Sequence, residues 1–163
     1  MTNKKPMRPY VDLVPFLLLC LVVSLVGGWV TSSSVDTWYP SLQKPVFNPP
    51  DWVFAPVWTT LFLMIAIAGW RVWRQRHTTT IRMAMAVYLA QLVLNLAWSV
   101  LFFGIQRVDL AALEIFVLLA AILWNIRLFW PIERLAAYLL LPYALWVGYA
   151  ALLTVSIWRL NAG

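Results

Sequence analysis

Five stretches of the chain, 11–30, 52–70, 83–103, 110–126 and 135–158, carry almost no charge. A hydrocarbon layer roughly 30 Å thick is crossed by about twenty residues rising 1.5 Å each, so all five are predicted to be membrane-spanning helices. Lys4, Lys5 and Arg8 precede the first run, the flank a signal peptide would also have. That run exceeds a usual signal h-region and no A-x-A site follows it, so a retained helix is expected. The connections are short except for 31–51, which carries Ser32, Ser33, Ser34, Pro40, Pro45, Pro49 and Pro50. Proline stiffens such a segment, which is expected to be an outer loop serving as a lid over the bundle mouth or as a tether. Asp51, at its end, stands where a carboxylate caps a helix.

Composition strengthens this picture. The 163 residues are 63% hydrophobic and 11% charged, with a mean hydropathy of +0.81, whereas soluble domains are about half apolar and a quarter charged. The expected fold class is an all-α integral membrane protein, one five-helix bundle over 1–163 with no room for a separate soluble domain. With the N-terminus in the cytoplasm, Lys4, Lys5, Arg8, Arg71, Arg74, Arg76, Arg82, Arg127 and Arg134 fall inside, and Lys44, Arg107 and Arg159 outside. That bias sets the orientation, and five spans put the C-terminus on the opposite, periplasmic face. The net charge of +6 follows from this asymmetry and suits anionic headgroups, so membrane lipid is the expected charged partner and no nucleic acid is needed.

Cys20 stands alone inside an apolar run, which removes disulfide and thiolate-metal frameworks. His77 lies among Arg71, Arg74, Arg76 and Arg82, where a neutral imidazole ligand is disfavoured, so it reads as a solvated loop residue. No metal site is expected. No internal repeat is visible, which weakens a reading as an inverted-repeat transporter.

Eleven tryptophans are the strongest compositional signal. Trp29, Trp52, Trp70, Trp73, Trp130 and Trp158 fall at or near span ends, where indoles form an interfacial belt. Trp58, Trp98, Trp124 and Trp146 fall deeper, where each N–H needs a partner and several rings could wall one cavity. On the third helix Tyr88, Gln91, Asn95 and Trp98 follow i, i+3, i+7, i+10, an arc of about 80° at 100° per residue. This polar stripe faces inward, either as interhelical glue or as part of a ligand site. Besides Asp12 near the start of the first helix, Glu114 is the only acid well inside a span; an intramembrane carboxylate is a functional candidate by default, yet Glu114 lies within about one turn of the outer end, so reaching water is the favoured expectation. Ala121 and Asn125 share its face. Pro142 interrupts the last helix, where Tyr143, Trp146 and Ala150 share a face. Ser24, Gly27, Gly28 and Thr31 on helix one, and Ala144-xxx-Gly148 on helix five, are small-residue stripes expected to permit close packing, within the bundle or between subunits.

Taken together, Trp38-Tyr39, Leu42, Lys44-Pro45, Asn48-Pro49-Pro50, Trp52, Phe54, Pro56 and Trp58 strongly resemble the signature of the tryptophan-rich sensory protein family, also called TspO or translocator protein. Gln91, Asn95-Leu96-Ala97-Trp98, Phe102-Phe103-Gly104, Pro142-Tyr143, Trp146 and Arg159-x-Asn161 continue the match along nearly the whole chain. The resemblance implies a five-helix bundle, commonly a homodimer, that binds tetrapyrroles such as protoporphyrin IX and, in some members, sterols or synthetic flat ligands. It implies a pocket of Tyr39, Trp58, Phe62, Gln91, Asn95, Trp98, Trp146 and Ala150. The family's sterol-recognition stretch corresponds to 152–159, which here has no tyrosine, so sterol binding by that element is not expected.

Three functions follow as expectations. The first is binding of a metal-free tetrapyrrole for transport or for sensing of oxygen, light or stress. No cofactor is obligatory, and pocket positions without His, Cys or Met suit porphyrin better than haem. The second is light-dependent porphyrin breakdown, with Trp58 and Trp146 as redox-active neighbours, since no acid–base pair or nucleophile supports conventional catalysis. The third is a structural membrane protein whose tryptophans only pack.

Overall fold

The computed structural model describes residues 10–77 and 79–162; the basic cluster Lys4, Lys5 and Arg8 lies outside the described residues. Five long helices account for the apolar runs: α1 (Leu13–Ser32), α2 (Phe54–Trp73), α3 (Ile81–Ser99), α4 (Val108–Phe129) and α5 (Arg134–Asn161). All five are long and apolar enough to cross a membrane, and among the described residues there are no strands. The protein is therefore an all-helical membrane bundle, as the pattern of charge-free runs predicts.

The helices close a ring in the order α1, α2, α5, α4, α3. The contacts within it are uneven. In α4 and α5, Ala111, Ala112, Ala136, Ala137 and Ala151 are buried, so the two backbones approach closely, the usual device where lipid removes the hydrophobic drive for association. By contrast, Cys20 is the only buried residue of α1, while Leu18, Leu21, Leu25 and Trp29 point outward. At the arginine-rich end, Arg76 lies 3.6 Å from Asp12 and Arg71 lies 3.4 Å from Glu133. Tyr88 ties the inner half together from a fully buried position: its hydroxyl donates to the Ile65 carbonyl at 3.1 Å, and its ring stacks 6.2 Å from Phe129.

Several local expectations change. The third run ends in a π segment, Val100–Gly104, closed by Ile105 N–H donating to the Val100 carbonyl at 2.8 Å and followed by Gln106 at φ 58°. A wider turn of this kind often marks a functional site. Asp51 does not cap α2, because a short 3-10 turn, Asp51–Val53, intervenes and its carboxylate makes no capping bond. Gly148 is not a close-packing position within the bundle, since an added methyl there would meet nothing within 4 Å. Trp70 is buried rather than interfacial: Tyr10 stacks on it at 6.3 Å and the Arg74 guanidinium covers it at 5.1 Å. Trp124, expected inside, is 51% exposed on the outer surface of α4.

Candidate functional site

The segment between α1 and α2 folds back over one end of the ring and is fixed to it at several points. Ser34 Oγ donates to the Phe103 carbonyl on the π segment. The Tyr149 hydroxyl of α5 donates to the Phe47 carbonyl at 2.6 Å. Asn161, near the end of α5, accepts from Gln43 N–H at 3.0 Å and donates to the Gln43 carbonyl at 2.9 Å, gripping both polar groups of one peptide residue. Tyr39, within this segment, is buried, its hydroxyl donating to Asn48 Oδ1 at 3.1 Å and the Lys44 ammonium lying 4.5 Å above its ring. Burial pushes the Tyr39 phenol above its ordinary pKa, and the bond to Asn48 partly offsets that rise. A segment held this way is a lid rather than a tether.

Beneath it lies a cavity of about 410 Å³, within the size range of small-molecule sites. Trp58 and Phe62 come from α2, Asn95 and Trp98 from α3, and Trp146 and Ala150 from α5, with Tyr39 from the lid itself. The π segment adds Phe102 and Phe103. Its extra residue per turn rotates both rings toward the cavity, where Phe102 stacks on Trp98 at 5.1 Å and packs edge-on against Phe103 at 4.8 Å. Trp58 meets Phe62 at 5.7 Å, and Trp146 meets Phe54 at 5.9 Å. These contacts fix the indoles in orientation, so the walls are flat, aromatic and largely preformed.

On α1 the small stripe Ser24, Gly27, Gly28 and Thr31 faces this space and serves it by absence of bulk. An added methyl at Gly28 would meet no atom within 4 Å, and one at Gly27 only Ser99 Oγ at 3.6 Å among its near neighbours and Leu96 beyond it. Within one bundle, therefore, this stripe borders open space instead of packing closely against another helix. Among the described residues α4 contributes nothing to the lining. Polar character is sparse: Asn95, whose Nδ2 donates to the Tyr143 hydroxyl at 3.0 Å, Asn48, Asp51 and a few hydroxyls.

The sequence model of the TspO/MBR family matches residues 16–159. The chain belongs to the TspO/MBR family. It is 37% identical over 156 residues to the tryptophan-rich protein TspO of Archaeoglobus fulgidus, covering 92% of this chain and 97% of that one. It is 36% identical over 149 residues to the tryptophan-rich sensory protein of Cereibacter sphaeroides, covering 90% and 89%. The translocator protein of Homo sapiens is 31% identical over 157 residues, covering 95% of this chain and 93% of its own.

Of the eight pocket positions implied by resemblance to the TspO/MBR family, Tyr39, Trp58, Phe62, Asn95, Trp98, Trp146 and Ala150 line the cavity. Gln91 does not. It is buried one turn deeper on the same stripe, and both of its amide atoms lack a protein partner. Sequence reasoning missed Phe102, Phe103 and the α1 stripe as lining residues. The small residues were visible, but a glycine run signals helix contact and open space equally well.

Proposed function

We propose that this member of the TspO/MBR family binds a flat tetrapyrrole, protoporphyrin IX, in the cavity beneath the lid and acts in its transport or in sensing. The carrying observation is a 410 Å³ space with Trp58, Trp98 and Trp146 on its walls and one amide, Asn95, reaching it from α3. Aromatic walls supply stacking area to a large planar π system, and a sparse polar set fixes orientation without demanding an ion. The lining residues include no His, Cys or Met, and the hydroxyl of their one tyrosine, Tyr39, is engaged with Asn48, so an iron-bearing ring finds no imidazole, thiolate or thioether ligand, which favours the metal-free porphyrin over haem. Relatives named translocator protein and tryptophan-rich sensory protein support the membrane transport or sensory role.

The same reading includes a single membrane domain, association as a homodimer, and an orientation with the N-terminus in the cytoplasm and the lid on the opposite face. Arg71, Arg74, Arg76, Arg82, Arg127 and Arg134 cluster at the end away from the lid, as the positive-inside rule requires for a cytoplasmic end. Reporter fusions after Arg76 and at the C-terminus should place the first inside and the second outside; a cytoplasmic C-terminus would remove this orientation.

Tryptophan fluorescence of the detergent-solubilised protein, titrated with protoporphyrin IX, haem and cholesterol, tests the ligand. Saturable quenching by protoporphyrin IX at least as tight as by haem is expected. A marked preference for haem with a ligation-type Soret shift would refute the assignment.

A further inference from the structure

A second cavity, a groove of about 590 Å³, opens at the arginine-rich end of the bundle, away from the lid. Its walls are Leu123 and Arg127 of α4, Trp130 and Pro131 just beyond that helix, and Thr80 at the start of α3. Spaced i, i+4, i+7, Leu123, Arg127 and Trp130 share one helix face. Asn125, on the buried side, donates to the Ala84 carbonyl at 3.1 Å and fastens the end of α4 to the start of α3, so the two sides of the groove are held together. Trp130 packs edge-on against Tyr138 at 5.2 Å, which fixes that wall. From Leu123 the exposed face continues through Ala120 to Phe116, an apolar strip along α4 in which the small Ala120 leaves a dip between two larger side chains.

The groove is positive, and among the described residues no carboxylate neutralises it. At this end Asp12 is taken by Arg76 at 3.6 Å and Glu133 by Arg71 at 3.4 Å. No acid precedes Asp12, Arg127 is the only charged residue between Glu114 and Glu133, and the first turn of α3 carries no acid. Glu114 does not reach water, contrary to the expectation from its nearness to the helix end: both of its carboxylate oxygens are buried, so it puts no charge on the outer strip. Among the described residues Arg127 therefore has no ion-pair partner, while Arg82 and Arg134, both exposed, add positive charge close by in the chain.

We propose that this groove binds one anionic phospholipid, with its phosphate on Arg127 and an acyl chain along Leu123, Ala120 and Phe116. A guanidinium meets a phosphate through two parallel N–H donors. Arg127, two residues inside the end of α4, holds its charge at the level where an interfacial indole such as Trp130 also lies. A zwitterionic headgroup would bring its own ammonium among Arg82, Arg127 and Arg134, so charge complementarity selects a lipid whose head is negative overall. A free phosphate gains nothing from Leu123 and Phe116, and only an amphiphile uses both halves of the groove. The site shares no residue with the cavity under the lid and is independent of what that cavity holds. In the orientation proposed above it faces the cytoplasmic leaflet, whose anionic lipids attract basic segments.

Native mass spectrometry of the full chain released from detergent, titrated with phosphatidylglycerol, with phosphatidylcholine of the same acyl chains and with glycerol 3-phosphate, tests the site. One phosphatidylglycerol should bind at least about fivefold tighter than phosphatidylcholine, the worth of one basic contact at a membrane, and glycerol 3-phosphate should not compete at equal concentration. Arg127→Gln should bring phosphatidylglycerol down to the phosphatidylcholine level. Arg74→Gln, which removes the same charge from the same end but on α2, should stay within about a factor of two of the native protein, because a distant exposed charge is screened. Thr80→Asp separates binding from folding: an acid at the N-cap favours α3, so the melting temperature should hold or rise while phosphatidylglycerol affinity falls. Equal affinity for the two lipids in the native chain, equal losses in Arg127→Gln and Arg74→Gln, or unchanged affinity in Thr80→Asp overturns the inference. Competition by glycerol 3-phosphate would assign the groove to a free phosphate ester and overturns it as well.

Discussion

Replacing Asn161 with alanine removes the grip on Gln43 and tests whether the segment over the cavity is a lid held by few bonds. Two hydrogen bonds are lost between α5 and the lid, at 3.0 and 2.9 Å, together with the bond from Asn161 to the Ile157 carbonyl at 2.8 Å, which is internal to the last turn of α5. Both lid bonds lie at an exposed edge where water can replace them, so each is worth the lower part of the usual range of about 0.5–1.5 kcal/mol. The lid-opening equilibrium should therefore shift by about 1–2 kcal/mol, a factor of roughly 5–30. The other anchors, Ser34 on Phe103 and Tyr149 on Phe47, remain, so the lid should stay mostly closed. Amide hydrogen exchange in detergent reads this directly. Gln43 is uninformative because its own acceptor is deleted, but the Tyr39 and Asn48 amides, bonded to Ser34 and Pro45 carbonyls at 2.9 and 3.0 Å, should exchange faster by that factor while the cores of α4 and α5 do not change. Tyr149→Phe should act in the same direction. Exchange at Tyr39 and Asn48 within about a factor of two of the native protein would show that these bonds do not control the lid.

Trp58→Phe and Trp146→Phe should each weaken protoporphyrin IX binding by about 1 kcal/mol or somewhat more, through lost indole surface, whereas Trp130→Phe, 41% exposed outside the cavity, should leave affinity nearly unchanged; binding curves for the three variants, if equal, place the ligand elsewhere. Under illumination, any porphyrin decay should slow in the Trp58 and Trp146 variants even at saturation, since a redox neighbour acts after binding, and decay at the native rate would exclude them from photochemistry. Gly69→Ala should destabilise the protein by about 1–3 kcal/mol, because the added methyl would sit 2.5 Å from the pinned ring of Tyr88; an unchanged melting temperature would contradict this. Cholesterol should bind weakly, and tight stereoselective sterol binding would show that 152–159 needs no tyrosine.

The spans were legible because the physics that creates them is one-dimensional: charge cannot remain in hydrocarbon, so runs without it mark helices. The α3 stripe was legible because polar residues in lipid must face protein, and Tyr88, Gln91, Asn95 and Trp98 do so. Apolar residues carry no such instruction, since lipid and protein interior are alike to an indole or a leucine. That is why Trp124 and Trp70 exchanged their expected places, and why α1, the most hydropathic span, proves the least buried. The π segment has no periodic signature. Phe102-Phe103-Gly104 reads as ordinary helix, and only the three-dimensional path past Gln106 reveals which way its rings turn.

Gly28, Ala55 and Thr59 are all exposed, and all three line the cavity. The container is thus unfinished along the seam between α1 and α2, where small side chains leave a slot facing the acyl chains. In a bilayer those chains complete the wall, so lipid composition acts as a variable part of the receptor, and its fluidity and thickness set how well the slot is sealed. A flat apolar guest dissolved in the same leaflet reaches the slot by diffusion in two dimensions, from a reservoir far more concentrated than the surrounding water. Affinities measured in detergent, where a shorter and looser chain closes the seam, therefore belong to a different composite site from those measured in membranes.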